Sequence, residues 1–184
     1  MRLEDCKDDI VNVLISEEEI KQRMAEMGRE ISEDYRGKPL LLVGVLRGAI
    51  MVMADLSREI SVPLQMDWMA VSSYGAATKS SGVVRILKDL NTDITDMDVL
   101  IVEDIIDSGL TLDYLKHNLE SRGPNSVRIA TFLRKPDVQK VDVPVDYVGF
   151  DIPNEFVVGY GLDYAEDYRH LTFVGTLAPH VYGG

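Results

Sequence analysis

Cysteine occurs once, at Cys6, so the chain can form no internal disulfide and nothing in its thiol content points to an oxidising compartment. Basic residues are also few: 19 Lys and Arg stand against 31 Asp and Glu, a formal net charge of −12. Gripping nucleic acid needs a Lys/Arg surface that neutralises phosphates, so that class of partner is set aside. No apolar run approaches the roughly 18 residues of a membrane-spanning helix, and no basic segment followed by an apolar one opens the chain. The expected compartment is the cytoplasm, with no membrane partner. Neither G-x-x-x-x-G-K-[ST] nor G-x-G-x-x-G follows an apolar run, which removes P-loop NTPases and dinucleotide-dependent dehydrogenases. His117, His170 and His180 share no metal-ligand or triad spacing. What remains is 184 residues, 46% hydrophobic and 27% charged, enough for one well-buried α/β domain.

The stretch from Asp98 to Thr111, DVLIVEDIIDSGLT, organises the rest. Val99 to Val102 is an unbroken apolar run, as expected of a strand buried on both faces of a parallel sheet. Glu103 and Asp104 then put two carboxylates at the strand's C-terminal end, the edge of an open α/β sheet where ligands bind. Asp107-Ser108-Gly109-Leu110-Thr111 follows as a small-residue loop leading into the helical pattern Leu112, Leu115, Leu119. A strand, such a loop and a helix N-terminus converge backbone N–H groups and the positive end of the helix dipole, which makes an anion cradle. The Asp107 carboxylate must point away from a phosphate held there. Glu103 and Asp104 must face something that tolerates negative charge, such as a sugar developing positive charge.

The same logic recurs upstream. Leu40 to Val45 is a second apolar run, ending in Leu46-Arg47-Gly48-Ala49 before a helical stretch from Ile50 to Ile60. This predicts a second anion site with a cation in it. Before it, Ile10 to Ile15 reads as a short strand, and Ser16 with Glu19 forms a capping box for a helix carrying Ile20, Met24, Met27 and Ile31 on its inner face. After it, Pro63 to Ala70 alternates as a strand, with Leu64, Met66, Trp68 and Ala70 set against Gln65, Asp67 and Met69. Residues 72–82 are small and polar, too poor in apolar area to pack, and are expected to be mobile without ligand. Val83 to Leu90 is the return strand of that arm. Val127 to Leu133 forms the next strand, closing on Arg134-Lys135-Pro136, and Tyr147 to Phe150 a short last one.

Two adjacent acids, two aliphatics and Asp-Ser-Gly-x-Thr together resemble the phosphoribosyl diphosphate signature of the type I phosphoribosyltransferases, in their hypoxanthine-guanine branch. The resemblance spans about Leu40 to Leu171. It implies an α/β fold with a mainly parallel twisted sheet flanked by helices, a flexible loop arm and a small hood, in one domain with a core over about 36–145 and a hood from about 1–15 and 146–184. It further implies that Leu46, Arg47 and Gly48 bind diphosphate, at a peptide between Leu46 and Arg47 that is often cis. Ser73 and Tyr74 would belong to a loop that closes over the site and excludes water. The 5′-phosphate falls to Ser108, Gly109, Leu110 and Thr111, and the ribose hydroxyls to Glu103 and Asp104. Lys135 would donate to the 6-oxygen of a purine; an ammonium has only donors, so adenine's amino group would leave it unpaired. Phe156 matches the base-stacking aromatic, Val157 a residue whose backbone meets the purine edge, and Arg169 a diphosphate contact. Glu103, Asp104 and Asp163 would share a magnesium ion, and Asp107 would be the catalytic acid–base group. Glu155 departs from the pattern, standing where some relatives carry a basic residue.

The expected activity is therefore transfer of a phosphoribosyl group to hypoxanthine and guanine in purine salvage. The expected partners are phosphoribosyl diphosphate, a 6-oxopurine and, as a dimer or tetramer, further copies of the chain. A xanthine-preferring enzyme and a nucleotide-sensing regulator on the same fold stand as alternatives. The regulator is disfavoured by the negative charge and the complete acid set.

Overall fold

In the computed structural model, residues 3–73 and 84–183 are described. A six-stranded sheet runs in the order β4-β3-β2-β5-β6-β7, with β2 (Leu40–Leu46), β3 (Leu64–Ser73), β5 (Asp98–Ile106), β6 (Ser126–Arg134) and β7 (Tyr147–Asp151) parallel and only β4 (Val84–Lys88) antiparallel. Helix α1 (Glu17–Asp34) leads into β2, α2 (Ile50–Glu59) connects β2 to β3, and α3 (Leu110–Glu120) connects β5 to β6. The apolar runs of β2 and β5 are needed on both faces, because successive side chains point oppositely. Leu40, Leu42, Leu100 and Val102 join Met24, Met27, Ile31, Met53 and Leu56 from α1 and α2 in one core. Leu41, Val43, Val99 and Ile101 join Leu112, Leu115 and Leu119 of α3 in the other. The capping box at α1 forms as expected: Glu19 N–H donates to Ser16 Oγ at 3.3 Å, and Ser16 N–H to Glu19 Oε2 at 2.8 Å.

The central strand carries its acids near its C-terminal end, as expected; β5 runs on to Ile106 because β6 continues beside it to Arg134, pairing Glu103 with Thr131 and Ile106 with Arg134. In β3 the alternation does not separate an apolar inner face from a polar outer one. Met66 is 43% exposed, whereas Met69 is buried among β2 and β5 residues and Asp67 is only 6% exposed. Asp67 accepts backbone N–H groups from Trp68, Asn91 and Thr92 at 2.7–2.9 Å and so fixes the turn after β4. β7 pairs with β6 in the main sheet, so the C-terminal part of the hood follows Asp151, where a start near 146 was expected.

The hood is a three-stranded antiparallel sheet, β1 (Ile10–Ile15), β9 (Val174–Leu177) and β8 (Val157–Val158), finished by the short α4 (Pro179–Tyr182). Two contacts lock it onto the core. Tyr160 packs its ring 4.8 Å from Phe132 and donates its hydroxyl to Asp55 at 2.6 Å. Gly161, at φ +100°, lies so close to the loop after β2 that a Cβ there would sit 2.0 Å from the Gly48 carbonyl oxygen. Among the described residues no helix is long and apolar enough to cross a membrane.

Candidate active site

Three strands of the parallel sheet end side by side, and their C-terminal loops supply the polar residues. From β2, the chain turns through a cis peptide between Leu46 and Arg47 and enters α2 after Ala49. Gly48 is compulsory for a reason invisible in the sequence: a Cβ added there would lie 1.5 Å from Asp104 Oδ2, on the neighbouring strand. From β5, Gly109 adopts the left-handed conformation (φ +81°) that closes the loop onto α3, and no side chain caps that helix. The loop is held from behind, since the Ser108 carbonyl accepts the N–H groups of Lys140 and Val141 at 3.0 and 3.3 Å. From β6, Lys135 donates its backbone N–H to the Ile106 carbonyl at 3.0 Å, which aligns it with the end of β5.

Two adjoining cavities follow, sharing Glu103 and Thr111. One, of about 220 Å³, is lined by Glu103, Asp107, Ser108, Gly109 and Thr111. The other, of about 590 Å³, is lined by Leu46, Arg47, Gly48, Glu103, Asp104, Asp163, Glu166 and Arg169, with Leu87 from the arm. Eleven of the predicted site residues thus line these two cavities, nine from the sheet edge and Asp163 and Arg169 from the hood.

The acids are electrostatically unlike one another. Burial, reinforced by the charge of Asp104, pushes Glu103 well above the carboxylate range, and its Oε2 is buried with no hydrogen-bond partner among the described residues. Burial also pushes Asp104 up to about 6, against the Ile105 N–H bond that its Oδ1 accepts at 2.8 Å. Asp107, by contrast, is exposed, and its Oδ1 lies 3.2 Å from Lys135 Nζ, a nitrogen on a side chain only 11% exposed. The carboxylate therefore turns toward Lys135. On the hood side, Arg169 is clasped by Asp163 (2.8 Å), Glu166 (3.2 Å) and the Gly161 carbonyl (2.8 Å).

Some predicted residues stand apart. Tyr74 and the Ser73 side chain, with the rest of the arm tip over 74–83, lie outside the described residues. Leu110 heads α3, and its N–H faces Ser108 Oγ at 3.5 Å. Phe156 and Val157 line neither cavity. Val157 is buried in the core and paired with Thr176, while Phe156 is 39% exposed, stacked on Tyr182 (4.8 Å between centroids) and edge-on to Tyr164. Glu155, the departure noted above, accepts a hydroxyl bond from Thr176 at 2.6 Å and so stays within the hood. Sequence reasoning missed Glu166, which also pairs with Arg47 at 2.8 Å. Its spacing three residues before Arg169 was a readable signal; its reach to Arg47, 119 residues away, was not.

Comparison with known proteins agrees with this geometry. Residues 14–165 match the family model described as a phosphoribosyl transferase domain. The chain is 58% identical over 180 residues to a hypoxanthine-guanine phosphoribosyltransferase of Mycobacterium tuberculosis, covering 95% of this chain and 89% of that one. It is 53% identical over 176 residues to the protein of the same name from Bacillus subtilis, covering 96% and 98%. The crystal structure of a hypoxanthine phosphoribosyltransferase from Staphylococcus aureus superposes with a TM-score of 0.95 at 48% identity, covering 98% of both chains.

Proposed function

The chain belongs to the phosphoribosyl transferase family, and we propose that it moves the 5-phosphoribosyl group from phosphoribosyl diphosphate to hypoxanthine and guanine, releasing diphosphate. The observation that carries this reading is the meeting, on one sheet edge, of a phosphate loop, a buried acid pair and the Asp107–Lys135 pair at 3.2 Å. The 5′-phosphate rests on the Asp107–Thr111 loop at the head of α3, where N–H donors and the helix dipole favour an anion. Arg47, Arg169 and the Leu46–Gly48 backbone take the diphosphate, with Ser73 and Tyr74 proposed to close over it. Glu103 and Asp104 face the ribose.

As the bond from the anomeric carbon to the diphosphate oxygen breaks, its electron pair leaves with the diphosphate and the ring gains oxocarbenium character. Glu103 and Asp104 face that charge and, in their ionised forms, stabilise it. N9 of the base attacks, and Asp107 accepts the proton at N7 of the purine ring. Lys135 donates to the 6-oxygen, while Phe156 stacks on the base and the Val157 backbone meets its edge. The donor set suits magnesium. Carboxylate oxygens are hard ligands, Glu103 Oε2 is buried without a partner among the described residues, and a dication would offset the burial that pushes both acids up. Glu103, Asp104 and Asp163 would hold it together with substrate oxygens, because among the described residues no group of three or more such side chains is assembled. Bound there, it would neutralise charge on the departing diphosphate.

A spectrophotometric assay with magnesium and phosphoribosyl diphosphate, offering hypoxanthine, guanine, xanthine and adenine separately, tests this. The expectation is turnover of hypoxanthine and guanine with adenine silent, and a rate about 100-fold lower or worse for Asp107→Asn. A protein that binds nucleotide but turns over no purine would be a regulator instead.

A further inference from the structure

The carboxylate of Glu166 lies between two guanidinium groups. Its Oε2 accepts from Arg47 Nη1 at 2.8 Å and its Oε1 from Arg169 Nη2 at 3.2 Å. The arginines come from different parts of the fold, one from the loop after β2 and one from the hood, and all three residues line the larger cavity. The backbone aims the acid there. Glu166 is left-handed at φ +72°, after Ala165 at φ +52°, a conformation such residues adopt only when their surroundings fix it. Its N–H is anchored on Asp163 Oδ2 at 2.9 Å, and the other Asp163 oxygen meets Arg169 at 2.8 Å. A carboxylate spanning two arginines presents the charge and the two acceptor oxygens that an anionic ligand would bring to the same donors.

We infer that Glu166 is a built-in competitor of diphosphate: it occupies Arg47 and Arg169 in the ligand-free protein and must release them for the diphosphate group to bind. This rests on the function proposed above. Such a competitor lowers apparent affinity by the fraction of time the arginines are free, and by reclaiming them it speeds departure of the product. The contact is graded rather than a lock, because Arg47 and Glu166 are 72% and 61% exposed and exposed ion pairs are weak.

Titration calorimetry of diphosphate with magnesium into wild-type and Glu166→Gln protein tests the role, with inosine monophosphate as a control ligand. The variant is expected to bind diphosphate about three- to tenfold more tightly, with a lower KM for phosphoribosyl diphosphate. Inosine monophosphate affinity and the thermal midpoint should not move. Equal or weaker diphosphate binding overturns the inference, since Glu166 would then be positioning the arginines for the ligand. A second measurement needs no variant. A crystal structure of the wild type with diphosphate and magnesium should show Glu166 withdrawn from both guanidinium groups, and diphosphate bound with both ion pairs intact overturns the competitor role. Hypoxanthine turnover separates this from the enzyme reading. Turnover with unchanged diphosphate affinity in Glu166→Gln sinks only the competitor, whereas absence of both turnover and diphosphate binding sinks the two together.

Discussion

Replacing Gly48 by Ala should separate activity from stability. The new methyl carbon would lie 1.5 Å from Asp104 Oδ2 and 2.5 Å from its Cγ, against a normal contact of roughly 3.5–4 Å. Something must move by about 2 Å. The backbone is poorly able to, because the Gly48 carbonyl is pressed against Gly161 of the hood. The Asp104 side chain is the free end of the contact, so it swings away and loses the Ile105 N–H bond at 2.8 Å. The stability cost is that of local overpacking, about 1–3 kcal/mol. The activity cost is larger, since displacing a reacting-site group by even about 1 Å can lose roughly 100-fold. We expect kcat/KM to fall by about 100-fold or more while the variant still unfolds cooperatively. Gly37→Ala is the control. It also disturbs a glycine, at φ +75° with no atom within 4 Å of an added Cβ, so it should cost about 1 kcal/mol and leave kinetics unchanged. The two readouts are steady-state kinetics and thermal unfolding. Gly48→Ala retaining activity within threefold of wild type would refute the reasoning that Asp104 is held in place by the missing side chain.

Other consequences can be checked alongside. Burial raises Asp67, but the N–H donors of Trp68, Thr92 and Asn91 outweigh it and hold the acid down at about 2. A folded-state value below the ordinary 3.8 adds stability above about pH 4 that fades as pH falls toward 2. Asp67→Asn should therefore cost about 2 kcal/mol at neutral pH, and denaturant curves of the two proteins should converge in acid. Lys135→Gln exchanges a donor-only ammonium for an amide that can also accept, so the ratio of hypoxanthine to adenine kcat/KM should fall by at least about tenfold; an unchanged ratio would remove Lys135 from specificity. Ser16→Ala breaks the capping box and should lower stability by about 1 kcal/mol in chemical denaturation without affecting turnover.

Most of the fold could be read from local pattern. The apolar runs at 40–45 and 99–102 are strands covered on both faces, as their composition led one to expect, and each leads through a short loop into a helix. What local pattern leaves open is burial that depends on a distant partner. Met66, Asp67 and Met69 obey period two, but which face is core was decided by β2 and by the turn at 91–92. Phe156 was readable as an aromatic in the right segment, yet its stacking on Tyr182 belongs to the folding back of the C-terminal strand and helix.

By itself the sequence determined the chemistry: which acids, hydroxyls and cations occur, and that each group follows a buried strand, because periodicity and loop composition act over a few residues. The tertiary structure decided their electrostatic state and their necessity. Glu103 and Asp104 are raised by burial and proximity, Gly48 is demanded by the side chain of Asp104, and Glu166 reaches across to Arg47. Desolvation, steric overlap and ion pairing depend on distances through space, and those distances exist only once the strands are side by side and the hood has closed on them.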